Sequence, residues 1–420
     1  MSILIKNVLC QGREQDVLIQ GSRFSRIGPN LAFEADQILD GSHQAILPSF
    51  VNGHTHAAMT LLRGYADDME LHTWLNNYIW PMEARLKPED VTIGARLACL
   101  EMIKSGTTFF NDMYWHYGAT ARAVEDMGIR AALSSVFIDF NDPETARKRW
   151  QECLELYEQD SQTSDRITFA LGPHAIYSVG QASLIKARDF ALQHGVLIHL
   201  HLGETEKEFQ DARDMWGMTP VEYLNSLGML GPQLCACHAI WLTESDMDLL
   251  AEHDVSVIHN PASNLKLCSG FFPYARLRSR GIRIGLGTDG CSSNNNLDML
   301  EEMKIASLAA KAQAKDPTLM PAQEIFEAAT RSGARIFGLD CGEIREGRLA
   351  DCILVDLNHP QLVPNHTLIS NLVYAANGDC VTTTICDGRL LMHNRRVEGE
   401  ETILDQAREA AQRLARNSGA

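Results

Sequence analysis

Eight short, apolar, β-rich runs recur between residues 49 and 290, each followed by a stretch with helical spacing. They are SFVNGHTH (49–56), TTFFNDM (107–113), RAALSSVF (130–137), ITFALGPH (167–174), VLIHLHLGE (196–204), QLCACHAI (233–240), VSVIHNP (255–261) and IRIGLGTDG (282–290). Continuous apolar runs alternating with helices are what a parallel sheet with crossover helices requires, because its strands are buried on both faces. The first and last runs start 233 residues apart, about 33 per unit, which matches the roughly 250 residues of an eight-unit TIM barrel. A doubly wound open sheet competes, but no Gly-rich dinucleotide turn follows any of the runs.

The flanks read differently. Residues 1–48 and 345–420 carry short alternating strands such as SILIKNVL, DVLIQG, DCILVDL and VTTTICDGRLLM, broken by Gly, Asn and Asp turns. These are expected to pair into one small β-sandwich built from both chain ends, with 49–344 as the barrel. The amphipathic stretch LDQAREAAQRLARN (404–417) predicts a helix capping that sandwich. The N-terminal residues alternate apolar and polar, unlike a secretory signal, and no apolar run approaches the 18 or so residues needed to span a bilayer.

A net charge of −17 repels phosphate backbones and anionic lipid, which argues against nucleic acid and membrane partners. Eleven cysteines without a C-x-x-C pair fit free thiols of a reducing compartment, hence a cytoplasmic protein.

Chemistry collects at the C-terminal ends of the expected strands, the face on which barrel enzymes build their sites. The first strand ends His54-Thr55-His56, and residues two apart on a strand face the same way, so both imidazoles point to one place. The fifth strand supplies His199 and His201 in a second H-x-H, and the eighth supplies Asp289 in GTDG. Neutral imidazoles with a carboxylate suit zinc or iron. The H-x-E…P-C-x-x-C pattern of cytidine-type zinc deaminases and the H-E-x-x-H of metalloproteases are both absent.

Taken together, NGHTH, HLHLGE, CHAI, HNPASNLKL, GTDGCSSNNNLD and the stretch WLNNYIWPMEARL (74–86) resemble the amidohydrolase superfamily over essentially the whole chain. Within it they resemble the deaminases of 5′-methylthioadenosine, S-adenosylhomocysteine and 5′-deoxyadenosine. The resemblance implies an α/β fold, a TIM (β/α)8 barrel with a small β-sandwich, that removes ammonia from 5′-substituted adenosines to give the inosine analogue. It makes His54, His56, His201 and Asp289 ligands of one divalent metal, Zn2+ first, with Fe2+ or Mn2+ as alternatives. The fourth strand, ITFALGPHAI, lacks the lysine that bridges two metals in binuclear relatives. His199 reads as a barrel-interior histidine hydrogen-bonded to its neighbours.

By the same resemblance Glu204 carries a proton to the ring nitrogen N1, His238 holds the attacking water, and Asp289 also accepts the water proton. Glu83 matches a position that holds the ribose hydroxyls, His174 contacts the sugar or the base, and Ser293 and Asn294 either line the base pocket or cap the next helix. Met59, Trp74, Trp80 and Met82 form either an apolar wall for the 5′ group or ordinary core. Asn260, Pro261 and Asn264 are expected at the pocket rim, and Cys235, Cys237 and Cys291 as packing thiols. Ser135 stands about where thermophilic relatives carry a substrate-binding arginine, and Arg147 matches a second one loosely. That loss favours the 5′-deoxyadenosine branch or broad 5′ specificity. A small-molecule nucleoside is thus the expected partner, with the chain a homo-oligomer, dimer or tetramer. Two other readings stay open: a related hydrolase of a free purine, pterin or chlorotriazine, and a non-catalytic assembly protein retaining the barrel.

Overall fold

The computed structural model describes residues 1–160 and 163–416. All eight expected barrel strands form. Numbering strands in chain order, β1 to β5 are Ser2–Cys10, Arg13–Gln20, Arg23–Gly28, Gln37–Asp40 and Gln44–Pro48. The barrel strands β6 to β13 are Phe50–Thr55, Thr107–Met113, Arg130–Phe137, Ile167–Pro173, Leu197–Leu202, Leu234–His238, Ser256–His259 and Ile284–Leu286. They pair in parallel, each with its neighbour in sequence, from β6 through to β13. Every residue of β6 and β7 is buried, as expected of strands covered on both faces.

The seam between β6 and β13 is closed by side chains. The Asn52 amide donates to Thr288 Oγ1 at 2.7 Å and accepts the Thr288 N–H at 3.0 Å, and the Asp289 N–H donates to the His54 carbonyl at 2.9 Å. Two glycines permit this approach: a Cβ on Gly53 would lie 2.6 Å from Ile258 Cδ1, and one on Gly287 2.7 Å from the His54 nitrogen. The seam therefore fixes the first and last site-bearing strand ends relative to each other.

Both chain ends meet in one mixed sheet, where β5 pairs antiparallel with β14 (Cys352–Asp356), itself paired to β15 (Val381–Cys386) and then β16 (Arg389–Met392). Arg130, at the start of β8, ties the barrel to this sheet: its Nε donates to Asp351 at 2.7 Å and its Nη2 to Asp387 at 2.8 Å, with the Asp351 side chain 0% exposed. Arg130→Ala strands a buried carboxylate, and breaking such a pair costs roughly 3–5 kcal/mol. A clear fall in Tm is the expected result, and an unchanged melting curve would show that the network contributes nothing.

The C-terminal helix, Glu400–Arg416, differs from expectation in where it docks. Its buried Ala407, Ala410 and Leu414 join Ala58, Leu62 and Val91 in a cluster on the barrel. Arg413 pairs with Asp90 and Lys104 with Glu400, so the helix caps the barrel helix Pro88–Ser105. Asn417, the last residue of the expected helix, and the remainder of the flanking segment to 420 lie outside the described residues. Among the described residues no helix is long and apolar enough to cross a membrane.

Candidate active site

The ends of β6, β10, β11 and β13 converge on one point. Strand alternation puts His54 and His56 on the same side of β6, and the seam brings Asp289 to them: Asp289 Oδ1 lies 3.3 Å from both His54 Nε2 and His56 Nε2. His201, at the end of β10, places its Nε2 3.4 Å from His56 Nε2.

Their outer hydrogen bonds settle which nitrogens carry lone pairs. His56 Nδ1–H donates to the Met113 carbonyl at 2.7 Å, and His201 Nδ1–H to the His174 carbonyl at 2.8 Å. A carbonyl accepts only, so Nδ1 carries a proton in both rings, and in the neutral imidazole the lone pair sits on the inward Nε2. His54 Nε2 is buried without a hydrogen-bond partner. Its Nδ1 lies 2.7 Å from His199 Nε2, and His199 Nδ1 lies 3.3 Å from Ser134 Oγ; in the tautomer with the His54 proton on Nδ1, its Nε2 lone pair faces the cluster. Three inward lone pairs and a carboxylate oxygen at such spacing repel one another unless a cation sits among them. The donor set fits a divalent metal, with outer hydrogen bonds orienting the imidazoles.

His199 itself takes the interior place expected for it. Cys237 Sγ also lies near His54 and His199, but burial raises its thiol well above the ordinary value, and the 2.7 Å between the two histidine nitrogens is a hydrogen-bond length. Burial likewise lowers His54 to about 4, keeping it neutral. Asp289 is itself buried among His54, His56 and His238. Oδ2 accepts from Ser263 Oγ at 2.6 Å and Ser293 Oγ at 3.0 Å.

Glu204 stands just past β10, only 7% exposed, with burial raising its carboxyl above the ordinary value. His238 ends β11 with a left-handed backbone (φ +71°) and lies 4.0 Å from Glu204 through Nδ1 and Oε1. Burial opposes its charging, but Glu204 and Asp289 outweigh that and raise its pKa. Its Nδ1 is 2.8 Å from Asn264 Oδ1, which leaves Nε2 as the nitrogen free for chemistry.

These groups open into a pocket lined also by Glu83, Tyr114, His174 and Ser293. Met59, Trp74 and Trp80 line it too, whereas Met82 packs beneath them in the core. His174 is neutral, lowered to about 3 by burial, and its Nδ1 lies 2.8 Å from Ser178 Oγ.

Several expectations are corrected. Ser135 is buried away from the pocket, since Ser134 faces His199 inside the barrel and the next residue points outward; Val136 and Ile138 line the pocket instead. Arg147 is exposed, while Arg149, on the other side of the same helix, stacks over Trp115 at 5.1 Å. Asn260 and Asn264 are buried behind His238, not at a rim. Asn294 takes neither place expected for it: its amide donates to the Thr288 carbonyl and to Glu302 at 2.8 and 2.6 Å, and Asp298 caps the helix Met299–Ala314. Sequence reasoning missed Ser263, Tyr114 and Glu208, none of which carries a local signature of a site.

Residues 45–391 match the amidohydrolase family. The chain is 44% identical over 406 residues to the 5′-deoxyadenosine deaminase of Methanothermobacter thermautotrophicus, covering 96% of this chain and 95% of the relative. It is 45% identical over 405 residues to 5-methylthioadenosine/S-adenosylhomocysteine deaminase 1 of Archaeoglobus fulgidus, again covering 96% and 95%. Among solved structures, an adenosine deaminase from Xanthomonas campestris with bound zinc superposes with a TM-score of 0.92 at 35% identity, covering 99% of this chain and 98% of that one. The convergence of strand-end histidines with Asp289 and these likenesses over nearly the full length lead to one conclusion: the chain belongs to the amidohydrolase family.

Proposed function

We propose that this protein is a metal-dependent hydrolytic deaminase of 5′-substituted adenosines (5′-deoxyadenosine, 5′-methylthioadenosine, S-adenosylhomocysteine or adenosine), releasing ammonia and the inosine analogue. The observation that carries the reading is a buried carboxylate, Glu204, facing His238 beside an inward-facing His54, His56, His201 and Asp289 cluster. Those four residues would hold one divalent cation, Zn2+ in our reading with Fe2+ and Mn2+ as alternatives, which supplies Lewis acidity and lowers the pKa of a water.

Deamination adds water at C6 and expels the amino group, so protons must leave the water and reach N1 and the amine. Asp289, ionised in its cluster, accepts the first proton. His238 Nε2 hydrogen-bonds the water oxygen and stabilises charge at the tetrahedral carbon. Glu204, whose burial favours the protonated form, delivers its proton to N1 so that the ring accepts the electron pair; the proton held by Asp289 then passes to the leaving amine while Glu204 takes the C6 hydroxyl proton, which forms the carbonyl and restores both carboxyls. Ser293, already bound to Asp289, and His174 complete the base and sugar contacts.

Glu83 is the proposed ribose anchor. Burial raises its carboxyl, while the neighbouring Tyr114 and His56 pull it down. A carboxylate accepts both hydroxyls of a cis-diol, and hydrogen bonds to a charged group contribute about 1.5–3 kcal/mol each. Glu83→Ala is therefore expected to raise KM for adenosine by at least roughly tenfold, leaving any turnover of free adenine unchanged. Equal effects on nucleoside and free base would favour the purine, pterin or triazine reading. Met59, Trp74 and Trp80 supply apolar surface suited to a methyl or thioether 5′ group. Eleven free cysteines support a cytoplasmic setting, and light scattering tests the dimer or tetramer expected there.

A further inference from the structure

Glu208 takes no part in the chemistry above, yet its carboxylate is buried against the strand end that bears the site, at 2% exposure. Oε1 accepts the Gly203 N–H at 3.0 Å and Oε2 the Glu204 N–H at 2.9 Å. Local sequence leads elsewhere: Thr205-x-x-Glu208 opens the helix Glu206–Trp216 and reads as a capping box, in which the glutamate would turn back to the Thr205 N–H. The threonine half does form, Glu208 N–H to Thr205 Oγ1 at 3.1 Å. The carboxylate reaches past it to the peptide that carries Glu204.

The opposite side of that peptide is held as firmly. The Gly203 carbonyl accepts the Ile240 and Trp241 N–H groups at 3.0 and 2.8 Å, and the Leu202 carbonyl accepts the Ala239 N–H at 2.9 Å. Gly203 is left-handed (φ +59°), and a Cβ there would meet the Trp241 carbonyl oxygen at 3.1 Å. The turn bearing Glu204 is thus clamped between Glu208 and the segment directly after His238.

We propose that Glu208 is a positioning residue: by accepting two consecutive N–H groups it fixes the backbone of Glu204, and so the aim of the Glu204 carboxylate relative to His238 and the ring nitrogen. This rests on the proposed role of Glu204 as proton carrier. A misplacement near 1 Å can cost about 10²-fold in rate, and a side-chain amide can accept only one of the two N–H groups, presenting its NH2 to the other.

The test is a double-mutant cycle on the metal-loaded enzyme with adenosine. Glu208→Gln is expected to lower kcat by about 10–10²-fold with KM within about twofold of the parent, because the ligand pocket is untouched. In a Glu204→Gln background the same change is expected to cause no further loss, since positioning matters only through the group positioned. Unchanged kcat, a rise in KM alone, or losses that multiply would each overturn the proposal. Should Glu208→Gln fail to fold, Glu208→Asp, whose carboxylate is one methylene short, is put through the same cycle with the same criteria. Failure of the underlying reading is seen separately, as near-normal turnover in Glu204→Gln alone.

Discussion

Glu204→Gln is expected to lower kcat by at least about 10²-fold while metal content and nucleoside binding stay near those of the parent. The amide keeps the size and polarity of the carboxyl but cannot exchange a proton at neutral pH. Glu204 lies outside the cluster of inward nitrogens, so its loss leaves the His54, His56, His201 and Asp289 donors in place. Steady-state kinetics with 5′-deoxyadenosine and adenosine, metal analysis and binding of the inosine product would together separate proton transfer from binding. Near-normal turnover would remove Glu204 from the mechanism, and a joint loss of metal would assign it a structural part instead.

The second large effect is expected at His56. His56→Ala removes one inward nitrogen and leaves His201 Nε2 without the neighbour it now has at 3.4 Å. Metal occupancy is expected to fall well below one per chain, and activity with it, because an open catalytic site has no spare protein ligand to lose. Prolonged treatment of the parent with a strong chelator should reproduce the loss, and restoring a divalent cation should reverse it only in the parent. A His56→Ala protein with full occupancy and full activity would break the ligand assignment.

Much of the barrel was legible because its signals are local. All eight strands lie within the runs read from the sequence, since an apolar run between helical stretches has few other ways to be buried. Errors arose where one residue changes the face. Ser134 and Val136 point inward, so Ser135 between them could not reach the pocket. Arg147 and Arg149 sit about 200° apart around their helix, at roughly 100° per residue, and only the latter faces Trp115. The C-terminal helix was recognised from its apolar stripe, but a stripe does not say what it covers.

By itself the sequence determined the barrel strands and put His54, His56, His199, His201 and Asp289 at their ends, because strand alternation and strand-end position act locally, whereas the choice of His54, His56, His201 and Asp289 as one set came from the family resemblance. Only the tertiary structure decided how they are held. Asn52 meets Thr288 across 236 positions, His238 meets Asn264 across 26, and Glu208 abandons a local cap for the backbone of Glu204. None of these pairings is written in the local sequence, and each follows from burial: once water is gone, every N–H and carboxylate must find its partner within the fold.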